Sequence, residues 1–336
     1  SSPVMVQQPQ VLLLTDIGKD IDDTLALVYL CAQVQRWDLR LAGVITTGGC
    51  NAKRAQCVEW LLQRLLPPEH PPVCVVPGRD LPLSPAEEES WKQSQVVVPP
   101  AMAKEGDWSG SGETPPDMGA DLILKCADRW GQALQIMAIG PVTDLAVAVQ
   151  KDAGLMQSVG RLVIQGQAGT DAAAHLTPDL AAYNLKCDPE AAHVVFRSLQ
   201  SHVPFVFLGK YAAYQVRLTA DDFSMLDRMS TSPIGLREQV TATIAGLAEE
   251  APDVFERVFG MSPAQARAAA RTPDADFADV VPFLSCPYDA MACVTLLQIQ
   301  AAKFFDAEFL GPHTLIGNTP HHPGVRDAET LRRHLV

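Results

Sequence analysis

Short runs of leucine and β-branched residues alternate with amphipathic stretches through the first half of the chain, and a turn or capping signal stands at each junction. Apolar runs of strand length followed by segments of helical period predict a βαβ rhythm. Strands are expected at Val11–Leu14, Leu39–Thr46 and Val73–Val76, with helices at Asp22–Ala32 and Ala52–Leu65 between them. From Gly78 to Pro116 the chain is rich in Pro, Ser, Gly and Glu, too polar and broken for a core element, and reads as a long functional loop. Regularity resumes with a helix at Asp117–Trp130, a strand at Leu134–Ile139, a helix from Thr143 and a strand at Arg161–Gln165. A helix from Asp188 and a strand at Val203–Leu208 continue the pattern. After Leu218 the periodicity is mostly helical, at Pro233–Glu249, Pro263–Arg271 and Asp289–Gln298, before a last strand near Lys303–Phe309. The expected fold is α/β, an open and mostly parallel central sheet flanked by helices, with a helical C-terminal elaboration. No repeat or low-complexity linker divides residues 1–336, so one domain is expected.

Composition narrows the function classes. Of 336 residues, 47% are apolar and 19% charged, a balance that buries a sizeable core. The net charge of -13 disfavours phosphate backbones and anionic lipid, both of which call for clustered Lys and Arg. Nucleic-acid and membrane partners are therefore not expected. The eight cysteines, Cys31, Cys50, Cys57, Cys74, Cys126, Cys187, Cys286 and Cys293, form no Cys-x-x-Cys pair and read as reduced core thiols. Ser1–Gln10 lacks a charged head and a long apolar run, so the expected compartment is the cytosol, with organelle import left open.

The most informative segment is Val11-Leu-Leu-Leu-Thr-Asp-Ile-Gly-Lys-Asp-Ile-Asp-Asp23, where Asp16, Asp20, Asp22 and Asp23 follow directly on an apolar strand. Four like charges in one loop repel, and burial raises their pKa values unless a cation neutralises them. Hard oxygen donors select Ca²⁺ or Mg²⁺. The carboxyl end of a first strand is also where open α/β sheets place their ligands. The bland alternative is a solvated acidic turn with Asp22 capping the next helix. The spacing is not that of a twelve-residue EF-hand loop ending in Glu. Thr15–Asp23 also lacks the Gly-x-Gly-x-x-Gly of a dinucleotide fold, and no His or Cys pair has zinc-ligand spacing.

The string Thr15-Asp-Ile-Gly-Lys-Asp-Ile-Asp-Asp-Thr-Leu-Ala-Leu27 resembles the N-terminal signature of the nucleoside hydrolases, which cleave the N-glycosidic bond of ribonucleosides. Four further segments match in order: Gly43-Val-Ile-Thr-Thr-Gly-Gly-Cys-Asn51, Ala138-Ile-Gly-Pro-Val-Thr-Asp-Leu-Ala146, Ala182-Tyr-Asn-Leu-Lys-Cys-Asp-Pro-Glu-Ala-Ala192 and Tyr288-Asp-Ala-Met-Ala292. The resemblance implies a Rossmann-like core and one Ca²⁺ per subunit, held by Asp16, Asp23, the Thr143 carbonyl and Asp289 together with the ribose hydroxyls. It implies Asp16 as the general base for the attacking water, and Asp22, Asn51 and Asn184 as ribose contacts. Taken alone, Asn51, Thr143 and Asp289 would each read as a helix cap, and Asn184 as a turn amide. A homodimer or homotetramer, with a role in purine or pyrimidine salvage, follows from the same likeness.

Three departures qualify that expectation. Ala182 stands where the family usually has a glutamate that binds the sugar's 5′ end. Tyr288 stands where a histidine is suspected of protonating the leaving base, and tyrosine is the weaker acid at neutral pH. His175 lies in the region that normally supplies another sugar-binding Asn, either as its replacement or as an exposed loop histidine. Lys210 or Tyr214 is placed to reach the pocket mouth, although a surface position is the default for the lysine. Trp91 and Trp108 stand in the long loop either as a base-stacking lid or as packing. The expected function is a metal-dependent ribonucleoside hydrolase. The alternatives are a hydrolase of another N-glycoside with an altered 5′ substituent, or a non-catalytic metal- and ligand-binding homologue.

Overall fold

The computed structural model describes residues 8–18, 21–36, 38–92, 96–105, 117–229 and 286–336, with isolated positions between 235 and 268. Asp20, Trp108 and about two thirds of the expected helices Pro233–Glu249 and Pro263–Arg271 lie outside the described residues.

The strands are β1 (Gln10–Thr15), β2 (Arg40–Thr46), β3 (Val75–Pro77), β4 (Leu134–Ala138), β5 (Arg161–Gln165), β6 (Ala168–Thr170), β7 (Leu176–Pro178), β8 (Phe205–Leu208), β9 (Glu308–Leu310) and β10 (His313–Ile316). Eight of them form one sheet in the order β3-β2-β1-β4-β5-β8-β10-β9, and β6 pairs with β7 in a separate hairpin. Every neighbour pair in the large sheet is parallel except β10 with β9. The chain crosses to β2 and β3 on one side of β1 and then returns to β4 on the other. That reversal opens a crevice beyond the carboxyl ends of β1 and β4, where ligands of open α/β sheets sit.

The run Val-Leu-Leu-Leu of β1 is apolar at consecutive positions because both faces of the sheet are covered. Val11 and Leu13 enter one apolar layer, with the helices Asp22–Gln35 and Tyr288–Val294. Leu12 and Leu14 enter the other, with the helices Met118–Trp130, Thr143–Lys151 and Pro189–Leu199. Each such side chain, fully removed from water, contributes roughly 1.5–3 kcal/mol. The strand end is thereby fixed from both sides, and the acidic loop that follows starts from a rigid point.

The sequence-derived elements from Val11 to Leu208 are present with small shifts at their ends. Beyond them the expected helix Asp289–Gln298 divides. It runs over Tyr288–Val294, where the Thr295 hydroxyl turns back to the Ala292 carbonyl (2.7 Å), and a second helix spans Gln298–Phe304. The expected strand Lys303–Phe309 is corrected accordingly. Lys303 and Phe304 close that second helix, and the strands are β9 and β10, joined through Gly311 at a left-handed φ of 58°. Phe304 is buried with its ring 4.7 Å from that of His334 on the helix Ala328–Leu335, a contact that holds the segment helical.

Within the long loop Gly78–Pro116, a 3₁₀ turn at Pro85–Glu87 and short helices at Glu88–Lys92 and Pro100–Ala103 break the expected irregularity. Trp91 is buried and donates its indole N–H to the Cys187 carbonyl at 3.0 Å, so it packs the loop against the body. Five of the eight cysteines are buried, Cys187 is half-buried, and Cys50 and Cys74 are exposed, so the core-thiol expectation fails at those two; all eight are free. Among the described residues no helix is long and apolar enough to cross a membrane.

Candidate active site

At the crevice lies a cavity of about 400 Å³ that gathers six of the sequence-derived residues: Asp16, Asp22, Asp23, Asn184, Tyr288 and Asp289. They come from four places. Asp16 ends the β1 segment, Asp22 and Asp23 begin the first helix, Asn184 sits in the short helix Tyr183–Lys186, and Tyr288 and Asp289 open the helix Tyr288–Val294.

Asp22, Asp23 and Asp289 each offer a carboxylate oxygen, and the three oxygens lie within 4.8 Å of one another. Asp23 and Asp289 are buried and Asp22 is half-buried. The Thr15 hydroxyl donates to Asp23 Oδ1 and fixes its rotamer. Three carboxylates at this separation, two of them out of water, fit a hard divalent cation with oxygen ligands. Asp22, expected as a ribose contact, thus belongs to the convergent trio. Asp16 lines the same cavity outside that trio.

The position of Asp16 is dictated by missing side chains around it. A Cβ on Gly140 would fall 2.8 Å from the Asp16 backbone nitrogen and 2.9 Å from its Oδ1, and one on Gly48 would fall 3.1 Å from the Asp16 Cβ. Only glycine allows the β2 and β4 turns to close on Asp16 from either side. Beneath it lies a residue that the sequence motifs do not flag, the fully buried Arg54. Its Nη1 donates to the carbonyls of Asp16 and of Ile17 (2.6 Å), and its Nε donates to the Gly49 carbonyl (2.8 Å). One guanidinium therefore ties the turn after β1 to the turn after β2. Its sequence signal is spacing: Arg54 falls on the buried stripe of its helix with Asn51, Val58, Leu61 and Leu65.

Asn51, Thr143 and His175 are not among the described residues that line the cavity. Asn51 is the first residue of its helix, after Gly48, Gly49 and Cys50 at left-handed φ values of 89°, 88° and 53°. It is fully buried, with Nδ2 donating to the Arg79 carbonyl (2.6 Å) and its backbone N–H to Asp80 (2.9 Å). Its Oδ1 has no hydrogen-bond partner among the described residues. Thr143, also buried, donates its hydroxyl to Asp188 at 2.7 Å. His175 is the larger departure. It stands on the turn between β6 and β7, its side chain 63% exposed, with Nδ1 3.3 Å from Asp171. The Asp171 carboxylate also accepts the backbone N–H groups of Ala173 and His175, so the turn closes on itself and leaves the imidazole in water.

Several cavity residues had no or little sequence signal. Gln165, Gln167 and Tyr183 line it, together with Lys210 and Tyr214. Asn184 spends its Nδ2 on the Ile139 carbonyl (2.8 Å) and Gln165 Oε1 (2.9 Å), so the group it has left for a ligand is its carbonyl oxygen. Gln167 is buried and gives its Nε2 to the Asn318 carbonyl (2.7 Å), while its Oε1 has no partner among the described residues. Burial, with the nearby Cys286, Tyr214 and Asp22, holds the Tyr288 phenol well above its usual pKa. It is therefore a hydrogen-bond donor at neutral pH, and the structure makes it a still poorer acid than the sequence suggested.

A second buried carboxyl supports the site from behind. Burial raises the Asp144 pKa to about 7, against the opposing pull of the Arg79 backbone N–H and its charge. Asp144 accepts that N–H at 3.2 Å, and the carbonyl of the same Arg79 receives Asn51 Nδ2. Asp188, expected as a cap, accepts Ala191 N–H (3.2 Å) at the start of its helix, and also Leu83 N–H, Ser84 N–H and the Thr143 hydroxyl.

The chain has counterparts among known proteins. The family model for inosine-uridine preferring nucleoside hydrolases matches residues 11–324. The pyrimidine-specific ribonucleoside hydrolase RihA of Salmonella enteritidis PT4 is 24% identical over 216 residues, which is 62% of this chain. The chain spans about 63% of the length of that curated relative. Among solved structures, the type III effector protein XopQ complexed with adenosine diphosphate ribose aligns over 98% of this chain and 93% of its own, with a TM-score of 0.76 and 23% identity. The purine-preferring ribonucleoside hydrolase from Gardnerella vaginalis aligns over 97% and 96%, with a TM-score of 0.57 and 19% identity. At those identities the two structures speak for the fold alone. It is the family model, running from the first buried strand to the turn beyond the last, that decides membership: the chain belongs to the inosine-uridine preferring nucleoside hydrolase family.

Proposed function

We propose that the chain hydrolyses the N-glycosidic bond of ribonucleosides with one Ca²⁺ per subunit. The observation that carries this reading is the convergence of Asp22, Asp23 and Asp289 in the cavity that Asp16 also lines. Asp23 and Asp289 would hold the cation with Asp16 and the Thr143 carbonyl, and Asp22 joins the acidic set from its half-buried position. When bound, the cation supplies positive charge that makes an adjacent water more acidic. Asp16, pinned between two glycines, takes the proton from that water. The Asn184 carbonyl accepts from a ribose hydroxyl and orients the sugar. The hydroxide so formed adds to C1′ as the C1′–N bond breaks; the bonding pair leaves with the base, which takes a proton from solvent, and the carboxylate-lined wall stabilises the positive charge that grows on the ribose. Tyr288 keeps its proton and donates a hydrogen bond from the cavity wall. Asn51 serves the site from behind, tying the turn after β2 to Arg79 and Asp80, and the exposed His175 receives no role. A homodimer or homotetramer, cytosolic and engaged in nucleoside salvage, belongs to the same proposal.

A second reading is a hydrolase for an N-glycoside with a different 5′ substituent. It is favoured by Ala182, which lines the cavity where the resemblance calls for a glutamate, and by the likeness to a protein solved with adenosine diphosphate ribose. The discriminating experiment measures reducing sugar released from purine, pyrimidine and 5′-modified nucleosides with added Ca²⁺, for the unaltered chain and for Asp16→Ala. The proposal expects turnover that the substitution abolishes. Folded, Ca²⁺-loaded protein that releases sugar from none of the panel would refute hydrolysis and favour a binding protein.

A further inference from the structure

Among the described residues lining the cavity there is one cation, Lys210, against the four carboxylates of Asp16, Asp22, Asp23 and Asp289. No carboxylate is within ion-pair distance of its ammonium among the described residues; the Nζ lies over the Tyr211 ring, 5.4 Å from the centroid. A lysine at the first position of the helix Lys210–Ala213 gains nothing from the helix dipole, which favours anions there. Its place is thus not explained by the stability of the element that carries it.

Ala182 lines the same cavity at a position where the resemblance calls for a glutamate. Buried at the entry to the helix Tyr183–Lys186, it offers neither charge nor hydrogen bond from its side chain. A methyl group in place of a carboxylate, in a cavity that a lysine also lines, changes what that cavity accepts. A carboxylate receives hydroxyl donors and repels anions. An ammonium with three donors and no acceptor receives anions. Tyr183, 57% exposed at the same cavity, leaves this side open to solvent and to a group larger than a hydroxyl.

We infer that Lys210 determines specificity by receiving an anionic group on the 5′ side of the ribose, a phosphate monoester or diphosphate. This rests on the reading of the cavity as a ribose site, and it commits the 5′ substituent to a negative charge. The acidic trio and the ammonium then divide the ligand between them, the trio's cation taking the ribose end and Lys210 the phosphate end.

The test is isothermal titration of the full, Ca²⁺-loaded chain with ribose, ribose 5-phosphate and adenosine diphosphate ribose, repeated for Lys210→Met and Lys210→Arg. A charge-assisted contact of this kind is worth about tenfold or more in affinity. The phosphorylated ligands are expected to bind at least about tenfold more tightly than ribose, with the ratio collapsing in Lys210→Met and surviving in Lys210→Arg. A preference shown by ribose 5-phosphate identifies a monoester as sufficient, and one shown only by the dinucleotide identifies the diphosphate. Equal binding of ribose and both anions, or a preference that persists in Lys210→Met, overturns the inference and leaves the hydrolase proposal standing. Lys210-dependent binding without any sugar release does the reverse. Absence of binding by every ribosyl ligand overturns the inference together with the ribose site on which it rests.

Discussion

Replacing Asp289 by asparagine removes one charge from the trio without changing its shape, and its stabilising effect should shrink when Ca²⁺ is added. The carboxylate oxygens lie within 4.8 Å of each other. At that separation two unit charges repel by about 3.5 kcal/mol at an effective dielectric of 20, and by about 0.9 kcal/mol in bulk water. The pair of buried residues, Asp23 and Asp289, sits near the first limit, and the pair with the half-buried Asp22 near the second. In Ca²⁺-free buffer, Asp289→Asn therefore relieves about 4 kcal/mol of repulsion. With an unfolding entropy of about 2.1 cal/mol/K per residue over this chain, that raises the melting midpoint by about 6 °C. Added Ca²⁺ narrows that advantage to about 1 kcal/mol. At about a hundred times its dissociation constant it stabilises the unaltered protein by roughly 2.7 kcal/mol, and the variant, short of a ligand, gains much less. Differential scanning calorimetry in chelator and in millimolar Ca²⁺ reads both arms. A variant that melts below the unaltered protein in chelator, with an equal Ca²⁺ shift in both, would refute the reasoning, because the carboxylates would then be neither repelling nor holding a cation.

Two further outcomes follow from groups around the site. Asp144 has a folded-state pKa of about 7 against an ordinary carboxyl value near 4, so its contribution to stability is full below pH 4 and is lost as pH rises through 7. Asp144→Asn, neutral throughout, should gain on the unaltered protein across that window by up to about 4 kcal/mol, and urea midpoints from pH 4.5 to 8 that differ by a constant amount would contradict it. Gly140→Ala places a Cβ 2.8 Å from the Asp16 nitrogen and must displace that carboxylate. Its kcat should fall by about a hundredfold with the fold retained by circular dichroism, and unchanged kcat would remove Asp16 as the base.

Much of this architecture was legible because buried parallel strands advertise themselves. The consecutive apolar residues of β1 and β4 have no other economical explanation, and Asp188 announced the helix it caps. The acidic trio was legible in part for a related reason, since a fold does not set aspartates at the end of a buried strand without something to neutralise them. What stayed open was whatever depends on where a turn points. His175 reads either as a pocket residue or as an exposed loop histidine, and the Asp171 turn faces it into water. Lys303 and Phe304 have strand-like neighbours, but the ring packing with His334 from the far end of the chain keeps them helical. Arg54 shows the opposite failure. A lone arginine on an apolar helical stripe was visible in the spacing, while its partners are backbone carbonyls that carry no residue-type signature. Gln167 and Tyr183 meet Lys210 only after three separate strands have delivered their loops to one place.

The helix that begins at Asp22 packs directly on the helix that begins at Tyr288, and these contribute the two halves of the acidic trio. In the order of synthesis they are nearly the whole described chain apart. At ordinary translation rates, tens of seconds separate the emergence of Asp23 from that of Asp289. Throughout that interval the nascent sheet holds two crowded aspartates with no third to complete them, and a long-range closure that is costly in chain entropy still lies ahead. On the proposed reading, a cation would act as an end-of-assembly latch. It would find no complete seat on a partly made chain, and it would stabilise the docking of the late helix onto the early one.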